Sequence, residues 1–148
     1  LVTTANPPRS DASLSGRKPM PASTTPLPDA ATLRAKGVSE YKASQFEQSI
    51  ETFRKYLGNY PDDNQEIRWR LAQALYESGR WGEASKEFNE LRGSPQPEIR
   101  ADAIYKLGKV DQKKGDLTAA KQQWKRVVDS YPNTVAAKKA AESLAENP

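Results

Sequence analysis

Trp69, Arg70, Gln73 and Tyr76 carry the strongest chemical signal in the chain, because i+3 and i+4 spacing gathers them on one broad helix face. A guanidinium there can meet a carboxylate and the rings can supply apolar contact, which is the chemistry of recognition rather than of bond making. The rest of the sequence agrees. Histidine and cysteine are both absent, which removes disulfides, thiol nucleophiles, Cys/His zinc sites and histidine general bases. No phosphate-cradling GxxxxGK[ST] loop, GxGxxG turn, GxSxG elbow or HExxH helix occurs, and Lys109 after Gly108 belongs to none of these. Asp62, Asp63 and Asn64 lack the spacing and closing glutamate of a calcium loop, and read as helix caps. No enzymatic activity, cofactor or metal is expected.

The elements that must position such a face are helical hairpins. Between Gln65 and Leu91, Leu71, Ala72 and Leu75 line one helix, Gly79 breaks it, and Trp81, Ala84, Phe88 and Leu91 resume at helical spacing. The turn at Ser78, Gly79 and Arg80 needs a left-handed residue, for which glycine has no Cβ penalty. This hairpin recurs on both sides at offsets of 35 and 36 residues. The register links Gly37, Ala72 and Gly108; Ser49, Ala84 and Ala120; Phe53, Phe88 and Trp124; and Phe46, Trp81 and Leu117. Pro61, Pro97 and Pro132 punctuate the copies. Small residues let the two helices of a hairpin approach, while aromatic residues fill the space between hairpins.

With 148 residues, 36% hydrophobic and 28% charged, the chain holds one folded domain. A mean hydropathy of −0.87 fits stacked hairpins, which bury only the faces between neighbours. Residues 1–28 hold six of the eleven prolines and few apolar side chains, so they read as a disordered linker whose PMPASTTPLP stretch favours polyproline II. The first residue is leucine rather than methionine and no apolar signal core follows, as in a processed product or excised fragment. A linker here implies an upstream anchor, coiled coil or domain. Asp29 is placed to cap the first helix, the repeats span about 30–63, 64–97 and 98–132, and 134–146 forms a cap helix covering the third hairpin. Its Lys138 and Lys139 should point to water. The net charge of +4 concentrates in residues 101–148 and is too dilute for nucleic acid.

The repeat resembles the tetratricopeptide repeat, whose signature is an aromatic or Leu, Leu-Gly, Tyr, then Ala, Phe and Pro. The third copy reads Ile104, Leu107, Gly108, Gly115, Ala120, Trp124, Pro132, and the second Leu71, Ala72, Leu75, Gly79, Trp81, Ala84, Phe88. The first is looser: Leu33, Gly37, Tyr41, Phe46, Ser49, Phe53 and Pro61, with Lys36 where the others have leucine. Glu40 and Asp111 stand at the signature tyrosine. The resemblance implies an all-α, right-handed solenoid of three hairpins plus a C-terminal cap helix behind a disordered N-terminal tail.

It also implies a concave peptide-binding wall made by the first helix of each hairpin. Carried over by position, the wall holds the rows Arg34, Trp69, Tyr105; Ala35, Arg70, Lys106; Val38, Gln73, Lys109; and Tyr41, Tyr76, Gln112. The expected groove is therefore Arg34, Val38, Tyr41, Trp69, Arg70, Gln73, Tyr76, Tyr105, Lys106 and Lys109, aromatic and basic, taking a partner with acidic groups. Chaperone-docking clamps of this family use asparagines where Val38 and Arg70 stand here, although Arg34 and Lys106 keep a basic character. The Tyr60-Pro61 and Tyr131-Pro132 ends and the closing TVAAKKAAESLAE resemble the C-terminal domain of the periplasmic Tol-Pal system proteins, the cell division coordinators. That likeness implies a bacterial-envelope interaction scaffold, periplasmic or outer-membrane-associated, which oligomerises through an upstream region. The alternatives are a cytosolic assembly adaptor, a regulatory domain of a larger enzyme, and a nucleic-acid binder using the lysine-rich third repeat.

Overall fold

In the computed structural model, residues 26, 28–62 and 65–148 are described. The expected linker, apart from Pro26 and Pro28, and the proposed caps Asp63 and Asn64 lie outside the described residues. Seven helices follow one another: α1 (Ala30–Lys42), α2 (Phe46–Asn59), α3 (Gln65–Glu77), α4 (Trp81–Leu91), α5 (Pro97–Lys113), α6 (Leu117–Ser130) and α7 (Val135–Glu146). There is no strand among the described residues.

Local chemistry sets the ends. Asp29 Oδ1 accepts from the Thr32 amide at 2.7 Å, Asp116 Oδ1 from Ala119 at 2.9 Å and Thr134 Oγ1 from Ala137 at 3.1 Å, each satisfying an otherwise unpaired first-turn N–H. Pro97 opens α5 at a first-turn position where its missing N–H costs nothing. The helix therefore begins on the proline itself, one residue before the expected Glu98.

The three hairpin turns share one hydrogen-bond pattern. Gln45, Arg80 and Asp116 donate their amides back to Glu40, Leu75 and Asp111 across six residues, the signature of a helix closed by a left-handed residue. Gly79 (φ 81°) and Gly115 (φ 88°) supply that residue in two turns, whereas Ser44 (φ 60°) must do so in the first. A Cβ in this region is strained. Ser44→Gly is therefore expected to stabilise the chain by about 0.5–1 kcal/mol after allowing for the greater freedom of glycine when unfolded. Thermal unfolding followed by circular dichroism checks this.

Each helix packs on its neighbours in sequence, so hairpin stacks on hairpin. Two cores result. Ile50, Phe53, Ile67, Leu71, Leu75, Phe88 and Leu91 join Ala103, Leu107 and Val110 of α5 in the first; Ala101 and Ile104 of α5 join Trp124, Val127, Ala136 and Ala140 in the second. α5 thus has two apolar sides, while α2, α4 and α6 are strongly amphipathic and keep their outer faces in water. The smallest residues sit at the closest approaches. Ser49 is fully buried where hairpins two and three have Ala84 and Ala120, and its Oγ donates to the Gly37 carbonyl at 2.9 Å.

The closing helix differs from the expectation in one respect. α7 packs on α6 and also along α5, so it takes the place of a fourth inner helix instead of merely covering the third hairpin. On the outer side, Arg80 reaches Glu47 at 2.9 Å and Glu83 at 2.8 Å, and Arg54 also pairs with Glu83. This exposed network bridges hairpins one and two; at the corresponding places stand Asp116, which makes no ion pair among the described residues, and the uncharged Ala119.

Candidate functional site

The inner wall is made by α1, α3, α5 and α7. Helical stagger in α3 puts Trp69 and Tyr76 on it with one part of each ring packed inward: both lie half-buried against the first core. Trp69 meets Phe88 of α4 edge-on, with centroids 5.4 Å apart, and its remaining surface lines a cleft. It is therefore both a wedge between helices and a wall residue. Tyr41 packs similarly against Phe46, 5.4 Å away, and Val38 and Gln73 are half-buried between the aromatic positions.

α3 and α5 scarcely touch, whereas α5 and α7 lie together. The opening between α3 and α5 is a cleft of about 600 Å³ lined by Asp62, Gln65, Glu66, Trp69, Gln96, Ile99 and Asp102. A second, of about 650 Å³, lies between α1 and α3 and is lined by Ala31, Arg34, Ala35, Val38, Ser39, Lys42 and Arg70. Of the ten expected groove residues, the first cleft takes Trp69 alone, and the second takes Arg34, Val38 and Arg70. Tyr76, Tyr105, Lys106 and Lys109 lie beyond both clefts on α3 and α5.

The expected charge is corrected at one end. Glu66 pairs with Arg34 across helices and with Arg70 at 2.9 Å along its own, so the two guanidiniums there are matched by a carboxylate of this chain. The Arg34 hydrogen bond, helped by Arg70 and opposed by partial burial, holds the Glu66 carboxyl below its ordinary value of 4.5. A depressed carboxyl stabilises the fold above its ordinary value, and this contribution disappears as pH falls through the lower folded one. Because the pair is largely exposed, solvent screening keeps the effect small. The stability difference between wild type and Glu66→Gln in low salt is thus expected at pH 7 and should shrink progressively as pH falls below the ordinary carboxylate value, in melts at each pH.

Farther along, the wall stays basic. The Lys106 ammonium stands 5.5 Å over the Tyr76 ring and makes no ion pair among the described residues. Burial pushes its pKa down, and Glu77 pulls against that shift. Burial raises the pKa of Asp102; Lys139 of α7 opposes that shift and also repels the Lys106 charge. Lys138 and Lys139 are both exposed, as expected, but Lys139 acts on the inner wall. Lys109 lies 6.0 Å over the Trp124 ring, and Tyr105 accepts the Trp124 indole N–H through its carbonyl at 3.3 Å, so both also serve the second core. Burial raises the pKa of Tyr41 and Tyr76, with Glu77 adding to both, so the phenols stay protonated donors.

Sequence reasoning missed Glu66, Ile99, Asp102 and Lys139. A signal for two of them existed: Ala31, Glu66 and Asp102 form the row one turn before Arg34, Trp69 and Tyr105 in the same register. Among the described residues no cluster of carboxylates could hold a metal ion, and no helix is long and apolar enough to cross a membrane.

Residues 34–97 match a model of the tetratricopeptide repeat, and residues 102–134 match a second model of that repeat. No curated protein matches the chain. Among solved structures, the chain is similar to the N-terminal domain of stress-induced protein-1 (STI-1) from C. elegans: 22% identity over 76% of this chain and 92% of that one, TM-score 0.61. It is similar to the TPR2AB domain of yeast Sti1 in a pHSP90 complex, at 23% identity over 79% of this chain and 48% of that one, TM-score 0.62. The first TPR of Spaghetti (RPAP3), bound to the HSP90 peptide SRMEEVD, is similar at 22% identity over 78% of this chain and 93% of that one, TM-score 0.60. At these identities the likeness shows the fold.

Proposed function

From the premise that the chain belongs to the tetratricopeptide repeat proteins, we propose that it is a non-enzymatic docking scaffold whose inner wall binds an extended peptide or loop carrying acidic groups. The observation that carries this reading is Lys106: a half-buried ammonium, beside Tyr76 and Tyr105 on a concave wall, with no carboxylate in ion-pair contact among the described residues. A cation already partly stripped of water, on a preformed surface, gains more from an incoming carboxylate than an exposed lysine does. Lys139 adds charge from α7, and Trp69, Tyr76 and Tyr105 supply apolar contact.

Two of the solved relatives hold pHSP90 or an HSP90 peptide, which supports a peptide-binding wall and an adaptor role. That support favours a cytosolic assembly adaptor over an envelope scaffold. The Tol-Pal resemblance rests on Tyr60-Pro61, Tyr131-Pro132 and the closing segment, and neither the repeat models nor the solved relatives add to it. In the structure those tyrosines have a general role: Tyr60 donates to the Pro28 carbonyl at 3.3 Å, and the Arg100 guanidinium stands 5.9 Å over Tyr131. Nucleic acid is disfavoured because Glu66, Glu77 and Asp102 interrupt the basic wall.

The test is fluorescence anisotropy with labelled SRMEEVD and its all-alanine-acid counterpart at two salt concentrations. Lys106→Gln is expected to weaken binding of the acidic peptide about three- to tenfold, and Trp69→Ala to add to that loss. Binding that is unchanged in the Lys106→Gln, Trp69→Ala double variant, with full helicity retained, removes this site.

A further inference from the structure

Resting on that reading of the wall, we propose that the cleft between α3 and α5 receives one lysine or arginine side chain of the same partner, so that the recognised peptide carries a basic residue two positions from an acidic one.

The cleft is built for a cation with an aliphatic stem. Trp69 and Ile99 supply apolar surface on its two sides, and Asp62 and Asp102 bring carboxylates to it. Asp102 is half-buried and makes no hydrogen bond or ion pair among the described residues; Lys139 and Lys106 act on it through their charge without ion-pair contact. Glu66, by contrast, is already engaged by Arg34 and Arg70 and contributes background charge. A guanidinium or ammonium entering here would meet the Asp102 carboxylate, which no cation of the chain contacts directly among the described residues, and an indole ring. An acidic side chain would face Asp62 and Asp102 instead.

Spacing then ties this cleft to the lysine. Asp102 and Lys106 are four residues apart on one face of α5, a rise of about 6 Å. Same-side neighbours in an extended peptide, two residues apart, are separated by about 6.6 Å. One basic and one acidic side chain at that spacing can therefore reach Asp102 and Lys106 together, whereas adjacent residues of an extended chain point to opposite sides. The wall accordingly selects mixed charge in a fixed interval rather than acidity alone.

Random heptapeptides displayed on phage, selected on the full chain and on its Asp102→Asn and Lys106→Gln variants, test this. Circular dichroism melts are run on each variant to establish the fold. Wild type is expected to enrich Lys or Arg two positions from Asp or Glu. Asp102→Asn should lose the basic preference and keep the acidic one, and Lys106→Gln should do the reverse. For the best peptide, moving its basic residue next to the acidic one should weaken binding about five- to tenfold in anisotropy. Selection of acidic peptides with no basic partner, unchanged by Asp102→Asn, overturns the cleft assignment while leaving the docking wall standing. Selection insensitive to both substitutions, or no enrichment from a folded wild type, overturns both.

Discussion

Trp124→Ala is expected to destabilise the protein by about 3–5 kcal/mol and to loosen one end of it before the other. The indole is completely buried, and it fills the second core against Ala101, Ile104, Val127 and the alanines of α7. Removing it leaves a cavity that small neighbours cannot collapse into: Ala101, Ala120, Ala136 and Ala140 have no length with which to follow. The Tyr105 carbonyl also loses the indole N–H. In a stacked array, stability is close to a sum of unit and interface contributions, so the damage stays near the broken unit. Hydrogen exchange should therefore accelerate across α6 and α7, while α2 to α4, which belong to the first core, keep most of their protection. The Arg80 network, which ties hairpin one to hairpin two, sharpens this difference slightly. Uniform acceleration along the whole chain would show that the two cores act as one.

The sequence revealed the array because its punctuation is steric. Only a residue that tolerates positive φ closes these turns, so Gly79 and Gly115 were readable, and Ser44 was readable only by position. The small rows were legible for a similar reason, since two backbones cannot approach across a large side chain. Departures from the repeat signature also acquire causes. Lys36 replaces leucine and stays exposed beside Glu40. Glu40 replaces tyrosine and accepts from Thr52 at 2.7 Å, so in the first hairpin a polar link between the two helices substitutes for the ring.

The charge of the inner wall was not legible to the same degree. Which arginine meets which carboxylate depends on the offset between helices and on side-chain reach, and one-dimensional rows record neither. Glu66 lies one row away from Arg34, yet it pairs with it across the α1–α3 boundary. Lys139 was hidden for a different reason. The apolar side of its helix reads as a cover for the third hairpin, although its packing against α5 makes it an inner helix. The unequal opening between inner helices, which creates the α3–α5 cleft, likewise arises from packing that no residue spacing states.

Gly108→Ala and Gly37→Ala should each destabilise by up to about 2 kcal/mol, the reverse of what alanine does in most helices. A Cβ on Gly108 would lie 2.4 Å from Trp124 Nε1 and 2.7 Å from Cδ1, and one on Gly37 would lie 2.4 Å from Phe53 Cε1. Neither ring can yield easily, because both are completely buried. Overpacking of this kind costs about 1–3 kcal/mol, and the helix-propensity gain of about 1 kcal/mol offsets only part of it. Gly58 is the internal control: it lies in α2 with nothing within 4 Å of the added carbon, so Gly58→Ala should stabilise by up to about 1 kcal/mol. The second hairpin shows one arrangement that admits the added carbon: Ala72 shares the core with Phe88, whose ring meets Trp69 edge-on, whereas the Phe53 ring lies against Gly37. Combining Gly108→Ala with Trp124→Phe recreates that pairing in the third hairpin. The double variant should therefore be more stable than the sum of the single effects by about 1 kcal/mol, a coupling that urea titrations of the four proteins in the cycle would measure. Strict additivity would mean that the ring and the glycine do not compete for the same space.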